Sequence, residues 1–161
     1  MKALAMDIGA SSGKMFLGDF DGKRIQLREV HRFANEARLK NGHLYWNFKS
    51  IHEELISGLI KTAGENIDSF GVDSFCNDYG LLDENGRLIS EIHSYRDSRT
   101  EPVMDQMDAK FSLREMYTRT GCQRARFNTL VQLIAEDREK LKKTSRLLFL
   151  SDLLNYSLCG E

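Results

Sequence analysis

Residues 1–20 read MKALAMDIGASSGKMFLGDF. Ala3–Met6 is a short apolar run, Asp7 sets a carboxylate at its end, and Ile8-Gly9-Ala10-Ser11-Ser12-Gly13 follows as a turn of small residues. Lys14 adds a cation, and Met15-Phe16-Leu17 begins a second apolar run. The expected local structure is strand, tight turn, strand. Its chemistry suits a phosphate. Glycines at 9 and 13 can take backbone angles closed to other residues, and successive N–H groups with two hydroxyls can cradle an anion. The expected phosphate-binding residues are therefore Gly9, Ala10, Ser11, Ser12, Gly13 and Lys14. Asp7 is placed as the metal-holding acid, because Mg²⁺ bound with phosphates uses one or two carboxylates.

Two other phosphate motifs fail by counting. A P-loop would need glycine at position 8 and Ser or Thr at position 15, where the chain has Ile8 and Met15. The dinucleotide fingerprint opens a helix, whereas KMFLGDFDG after Gly13 reads as a strand entering an Asp21-Gly22 hairpin turn. A phosphate hairpin between two strands describes the stretch better. The bland alternative is an ordinary Gly/Ser hairpin whose Asp7 bonds backbone amides.

The 161 residues suit one domain by length, and 41% hydrophobic with 29% charged residues is ordinary globular composition. A net charge of −1 without a long basic stretch argues against nucleic acid as a partner. No apolar run reaches membrane-spanning length, and Asp7 interrupts the N-terminal run before it makes a signal peptide. The expected setting is the cytoplasm, with no membrane partner. Cys76, Cys122 and Cys159 lack disulfide or metal spacing and read as buried thiols of a reducing compartment.

Lys23–Phe33 alternates, with Ile25, Leu27, Glu29, His31 and Phe33 on one side and Val30 off phase, so a third strand is expected. Asn35–His43 reads as a loop with an Asn41-Gly42 turn. Asn47 is a candidate cap for a helix over 49–63, whose stripe is Ile51, Leu55, Ile56, Leu59 and Ile60. His52, Glu53 and Glu54 face away, and Gly64 stops it. Residues 67–75 and 79–83 read as further strands. The βββαβ order lets the strand after the helix lie parallel to the first, and ligands gather at the carboxyl ends of such strands. Asp7 and Asp73 both stand near those ends. Short helices are expected over 102–109, 113–119 and 129–141, the last with Leu130, Leu133, Ile134 and Leu141 inward and 136–140 solvated. Leu147–Leu150 is an apolar run, and Ser151-Asp152 caps a final helix that Gly160 ends.

Together AMDIGASSGKMFLG, REVHRF, NGHLYWNF, GVDSFCNDYGLLDENG, SYRDSRT, RFNTLVQL and SDLLNYSLCG resemble the FGGY carbohydrate kinases, most closely their rhamnulokinase branch. The resemblance implies an α/β chain of the actin/hexokinase-like (ribonuclease H-like) ATPase fold, using ATP and Mg²⁺ to phosphorylate a sugar. It also implies an incomplete first domain, with residues 1–93 as the βββαβ core and 94–161 as a mainly helical insert. The C-terminal domain of the same full-length chain would be its partner, and a homo-oligomer stays open. Asp7 matches the Mg²⁺-associated acid and residues 9–13 the γ-phosphate turn. Lys14 stands where the branch has Arg, a point charge in place of a bidentate fork. Cys76, Asn77 and Asp78 align with a sugar-contacting stretch that usually reads T-W-G-V-D and here reads Ser74-Phe75-Cys76-Asn77-Asp78. Arg96, Asp97 and Asn128 match the sugar side. For Asp97 and Arg99 the bland reading is an internal ion pair. The resemblance places the catalytic base beyond Glu161, so the chain alone is expected to be inactive. Two rivals are a non-enzymatic actin-like nucleotide-binding module and a binding domain complete at 161 residues. Marginal stability, or association through an unpaired strand edge, is expected of an incomplete sheet.

Overall fold

The computed structural model describes residues 1–108 and 112–160. The chain runs β1 (Lys2–Ile8), β2 (Ser12–Phe20), β3 (Ile25–Ala34), β4 (Arg38–Lys40), β5 (His43–Trp46), α1 (Phe48–Lys61), β6 (Ser69–Ser74), β7 (Tyr79–Leu82) and β8 (Ile92–His93). A 3₁₀ turn at Ser98–Thr100 then leads to α2 (Glu101–Asp108), α3 (Leu113–Thr120), α4 (Thr129–Ile134), α5 (Arg138–Lys143), β9 (Arg146–Phe149) and α6 (Leu150–Cys159). The strands form sheets ordered β3-β2-β1-β6, β4-β5-β8 and β7-β9. β6 lies parallel to β1, as expected of a strand that returns after a helix.

Period-two alternation decides which face is the core. Leu4, Met6 and Ile8 of β1 and Met15 and Leu17 of β2 are buried, while Ala5 and Asp7 lie on the open face. α1 closes the buried side with Ile51 and Leu55, and Asn47 accepts a hydrogen bond from the Ser50 amide at its start. Gly58 belongs to that face because Met15 fills the space beside it: an added Cβ would stand 2.6 Å from Met15 Cε. The stripe is narrower than its spacing suggests, since Ile60 is 67% exposed. Glu54 does not face away either. Its carboxylate meets His31 Nε2 at 2.7 Å, while Lys61 meets His31 Nδ1 at 2.7 Å.

Several local expectations are corrected. The register of β2 on β3 shifts between Met15, opposite His31, and Phe16, opposite Glu29, leaving Val30 as an extra residue. That bulge reverses the phase of β3, so Ile25 and Leu27 are exposed on one face while His31 and Phe33 turn to the core side. The 35–43 loop contains β4, which forms a hairpin with β5. Its turn has positive φ at both Asn41 (52°) and Gly42 (81°), the demand of a twist-matched two-residue turn.

The helix expected over 129–141 is two helices. Asp137 accepts from the Glu139 and Lys140 amides and so starts α5 afresh. Glu136 turns inward, 3.4 Å from Arg99 and 3.5 Å from Lys140, while Leu130 and Ile134 are exposed. The 147–150 run is largely β9, paired with β7. α6 starts one residue before Ser151, with no side-chain cap, and Gly160 ends it at φ 79° as expected. Leu150, Leu153 and Leu154 of α6 belong to the same core as β1 and α1. Val103, Met107 and Val131 form a separate small core. The helix expected over 102–109 is α2, and its last residue lies outside the described residues. All three cysteines are exposed, not buried. No helix among the described residues is long and apolar enough to cross a membrane.

Candidate functional site

The carboxyl end of β1 assembles the first half of the site. Asp7 is opposite Lys14 on β2 and opposite Asp73 on β6, and Lys14 is opposite Arg32 on β3. Directly paired residues share a face of a sheet, so Asp73, Asp7, Lys14 and Arg32 form a row of two carboxylates and two cations. Asp7 and Asp73 are exposed there. Arg32 was not anticipated from the sequence; it is also paired with Glu29.

The turn beside this row is shorter than its composition suggests, since Ser12, Gly13 and Lys14 are already in β2. The Gly9 amide donates to the Ser12 carbonyl at 3.0 Å. Asn35, 4% exposed, braces the turn from the residue just past β3: its amide donates to Ser11 O at 3.0 Å and its side-chain nitrogen to Gly9 O at 2.9 Å. Among the described residues the Ala10 and Ser11 amides donate to no protein acceptor, which suits an anion. Two acids with a hairpin of open amides also fit Mg²⁺ carried with a phosphate.

The glycines serve a different purpose from the one expected. Neither Gly9 nor Gly13 has positive φ. Gly13 is required by packing, because a Cβ there would stand 2.1 Å from Cζ of Phe33. Gly13→Ala is expected to cost about 1–3 kcal/mol through overpacking, and adding Phe33→Leu should recover part of it. Chemical denaturation of both variants checks this; an unchanged single variant would refute the packing argument.

The second half begins three residues past Asp73, where Cys76 is exposed, Asn77 half-buried and Asp78 fully buried. Gln132 joins this corner to the helical segment. Its side-chain nitrogen donates to Asp78 Oδ1 at 2.8 Å, Phe127 O at 3.1 Å and Asn77 O at 3.2 Å. Arg99 in turn donates to the Gln132 carbonyl and side-chain oxygen. Thr129 Oγ1 also donates to Asn77 O. The Tyr95 ring lies 5.8 Å from Phe75, 6.3 Å from Trp46 and 6.5 Å from Phe127, and Arg96 stands 5.4 Å from its centroid. Asn128 follows Phe127 and donates to Gln123 O, while its Oδ1 is buried without a partner among the described residues. Cys76, Asn77, Arg96 and Asn128 thus surround one aromatic cluster. Tyr95, Phe127 and Gln132 are its missed members; the hydroxyl-bearing ring inside the polar SYRDSRT run was the available signal.

Asp78 and Asp97, expected beside a sugar, are both buried and accept internal hydrogen bonds. Asp78 accepts from Trp46 Nε1, the Tyr95 amide and Gln132. Burial pushes its carboxyl up despite those donors. Asp97, 2% exposed, accepts from the Leu44 amide at 2.6 Å, the Arg99 amide at 2.9 Å and His43 Nδ1 at 3.1 Å. Burial pushes this carboxyl up too, but the Leu44, Arg99 and His43 donors outweigh it and hold it below the usual range. The Asp97–Arg99 ion pair does not form: the Arg99 guanidinium goes to Glu136 and Gln132 instead.

His93 packs its ring 4.4 Å from Tyr45, with Nδ1 buried and unpartnered among the described residues. Burial, reinforced by Arg99 and Lys140 against Glu136 and Asp97, pushes this imidazole down to about 4. An unfolded histidine takes its proton near 6.5, so the neutral ring's contribution is complete above that pH and is lost as pH falls through about 4. Unfolding free energy should therefore rise between those values, by on the order of 2 kcal/mol after allowing for solvent screening. Denaturant unfolding across pH checks this, and His93→Gln should flatten the slope.

The chain matches known proteins along nearly its whole length. Residues 2–161 match the model of the FGGY family of carbohydrate kinases, N-terminal domain. The chain is 39% identical to the rhamnulokinase of Bacillus subtilis (strain 168) over 98% of its own length and 33% of that protein's. It is 40% identical to the rhamnulokinase of Ligilactobacillus salivarius (strain UCC118), over 100% of this chain and 34% of that protein. Among solved structures it superposes on gluconate kinase from Lactobacillus acidophilus with a TM-score of 0.83 at 15% identity, covering 99% of this chain and 33% of that one. Plasmodium falciparum glycerol kinase with ADP gives 0.78 at 20% identity, covering 99% and 34%. These distant structures establish the actin/hexokinase-like fold. The chain belongs to the FGGY family of carbohydrate kinases, as its N-terminal domain. It spans about a third of the length of the curated relatives it matches.

Proposed function

We propose that the full-length protein is an ATP-dependent kinase for a ketose such as L-rhamnulose, and that this chain supplies its sugar-facing part. The observation that carries the reading is the in-register pairing of Asp7 with Asp73 and Lys14 beside the Gly9–Ser12 hairpin. Phosphoryl transfer asks mainly for positioning and charge neutralisation. The Ala10 and Ser11 amides, with the Ser11 and Ser12 hydroxyls and Lys14, would orient the terminal phosphate. Asp7, with Asp73 alongside, would hold Mg²⁺, which when bound supplies counter-charge to the phosphates. Asn77, Arg96, Asn128 and Cys76 would orient the sugar over the Tyr95 cluster, with Asp78 and Asp97 setting that corner from inside. The base that accepts the hydroxyl proton is assigned to the part of the relatives' length that this chain does not span.

The sugar is proposed from the relatives' names, and the residues bear on it. Phe75 and Cys76 replace the aromatic and glycine usual in the branch, and both line the sugar corner. An ATP-coupled assay with L-rhamnulose, L-ribulose, D-xylulose and glycerol, on the full-length protein and on residues 1–161, tests the reading. L-Rhamnulose should be turned over best by the full-length protein, and residues 1–161 alone should be inactive. Preference for L-ribulose or D-xylulose would keep the kinase and change its sugar. Nucleotide binding with no turnover of any sugar would favour a non-enzymatic actin-like module.

A further inference from the structure

We propose that His43, His93 and Asp97 form a binding site for a divalent transition-metal ion of the Zn²⁺ class, where β5, β8 and the approach to the 3₁₀ turn meet. The site is separate from the phosphate hairpin and does not depend on the kinase reading. One ligand atom from each residue lies within 4.8 Å of the other two. The three come from separate elements that the fold converges: His43 opens β5, His93 ends β8, and Asp97 caps the 3₁₀ turn. His43 Nδ1 is 3.1 Å from Asp97 Oδ1, and the two imidazoles meet edge to face at 5.7 Å.

A second observation separates this cluster from a plain hydrogen-bonded pair. His93 Nδ1 is buried with no partner among the described residues, and a buried polar atom left unpaired is costly. A metal bound through Nδ1 would satisfy it. Two imidazoles and one carboxylate make a donor set suited to zinc, with a fourth position left for water. The outer contacts needed to orient such ligands are present. The Leu44 and Arg99 amides fix Asp97, and the Tyr45 ring packs on His93. Arg99, the nearby cation, is engaged by Glu136 at 3.4 Å. Metal entry through His43 Nδ1 would break its hydrogen bond to Asp97, and the ring proton would move to Nε2, so the imidazole binds neutral with no net proton lost. The ion would then tie the β5 strand to residues 93–97, setting Tyr95 and Arg96 between fixed neighbours.

The test is a Zn²⁺ titration, with Co²⁺ as the spectroscopic probe. It uses a background carrying Cys76→Ser, Cys122→Ser and Cys159→Ser, because exposed thiols would compete. One equivalent should bind, the thermal midpoint should climb with Zn²⁺ concentration, and bound Co²⁺ should give the visible bands of a four-coordinate nitrogen and oxygen site. His43→Gln and His93→Gln should each weaken binding by more than the roughly 10–100-fold that loss of an outer partner costs. His43 is 44% exposed along its side chain, so its variant should fold even where His93→Gln does not. Failure to bind one equivalent, or undiminished binding by His43→Gln, would overturn the site.

Discussion

Asp7→Asn in the full-length protein is expected to lower turnover by roughly 10²–10³-fold, the scale on which one preorganised charge-stabilising group acts. Asp7 stands exposed at the end of β1, between Lys14 and Asp73 in register. Asparagine keeps the shape and removes the charge that would hold the metal. No core contact is lost, so stability should stay within about 0.5 kcal/mol of the parent. The sugar KM should move little, since the Tyr95 cluster lies beyond the end of β6. Coupled kinetics and thermal melts on the same preparations separate these readouts. Asp73→Asn, measured alongside, tells which carboxylate carries the larger share. Unchanged turnover in both would remove the phosphate-hairpin assignment.

Asp78→Ala is expected to cost about 3–5 kcal/mol, the range for removing one partner from a buried charged network. In a chain of this size that is a fall of roughly 10 °C in Tm. Asp78 has no exposed surface, and its oxygens take Trp46 Nε1, the Tyr95 amide and Gln132 Nε2. Alanine leaves three buried donors facing a void. Asp78→Asn should cost less, because one oxygen survives, yet its amide nitrogen must then oppose a donor. Denaturant unfolding of both variants checks the order. A mild effect from alanine would mean that the donors find other acceptors and that Asp78 is not the node of this corner.

These two aspartates mark how far the residues could be read unaided. Both were expected at a ligand; Asp7 is exposed and Asp78 is not. A carboxylate in a polar motif looks the same in sequence whether it meets solvent or three internal N–H groups. The partners of Asp78 lie 17, 32 and 54 residues away, so no local window contains the distinction. Glu136 was misplaced for the same reason: its charge suggested water, but Arg99 draws it inside. Val30 did signal its bulge by falling out of phase, yet the reversal of the face beyond it needed the pairing with β2.

The residue pattern alone determined the β1-turn-β2 hairpin, the parallel return of β6, the Asn47-capped helix and membership of the family. Each rests on periodicity, turn chemistry or a motif whose parts are close in the chain. The tertiary structure alone decided which acids stay exposed and which become internal acceptors. It also decided that Gly13 is needed for Phe33 packing, and that two histidines and an aspartate converge beside Tyr45. Burial and hydrogen-bond partnership belong to pairs distant in sequence, and only the packed chain brings those pairs within reach.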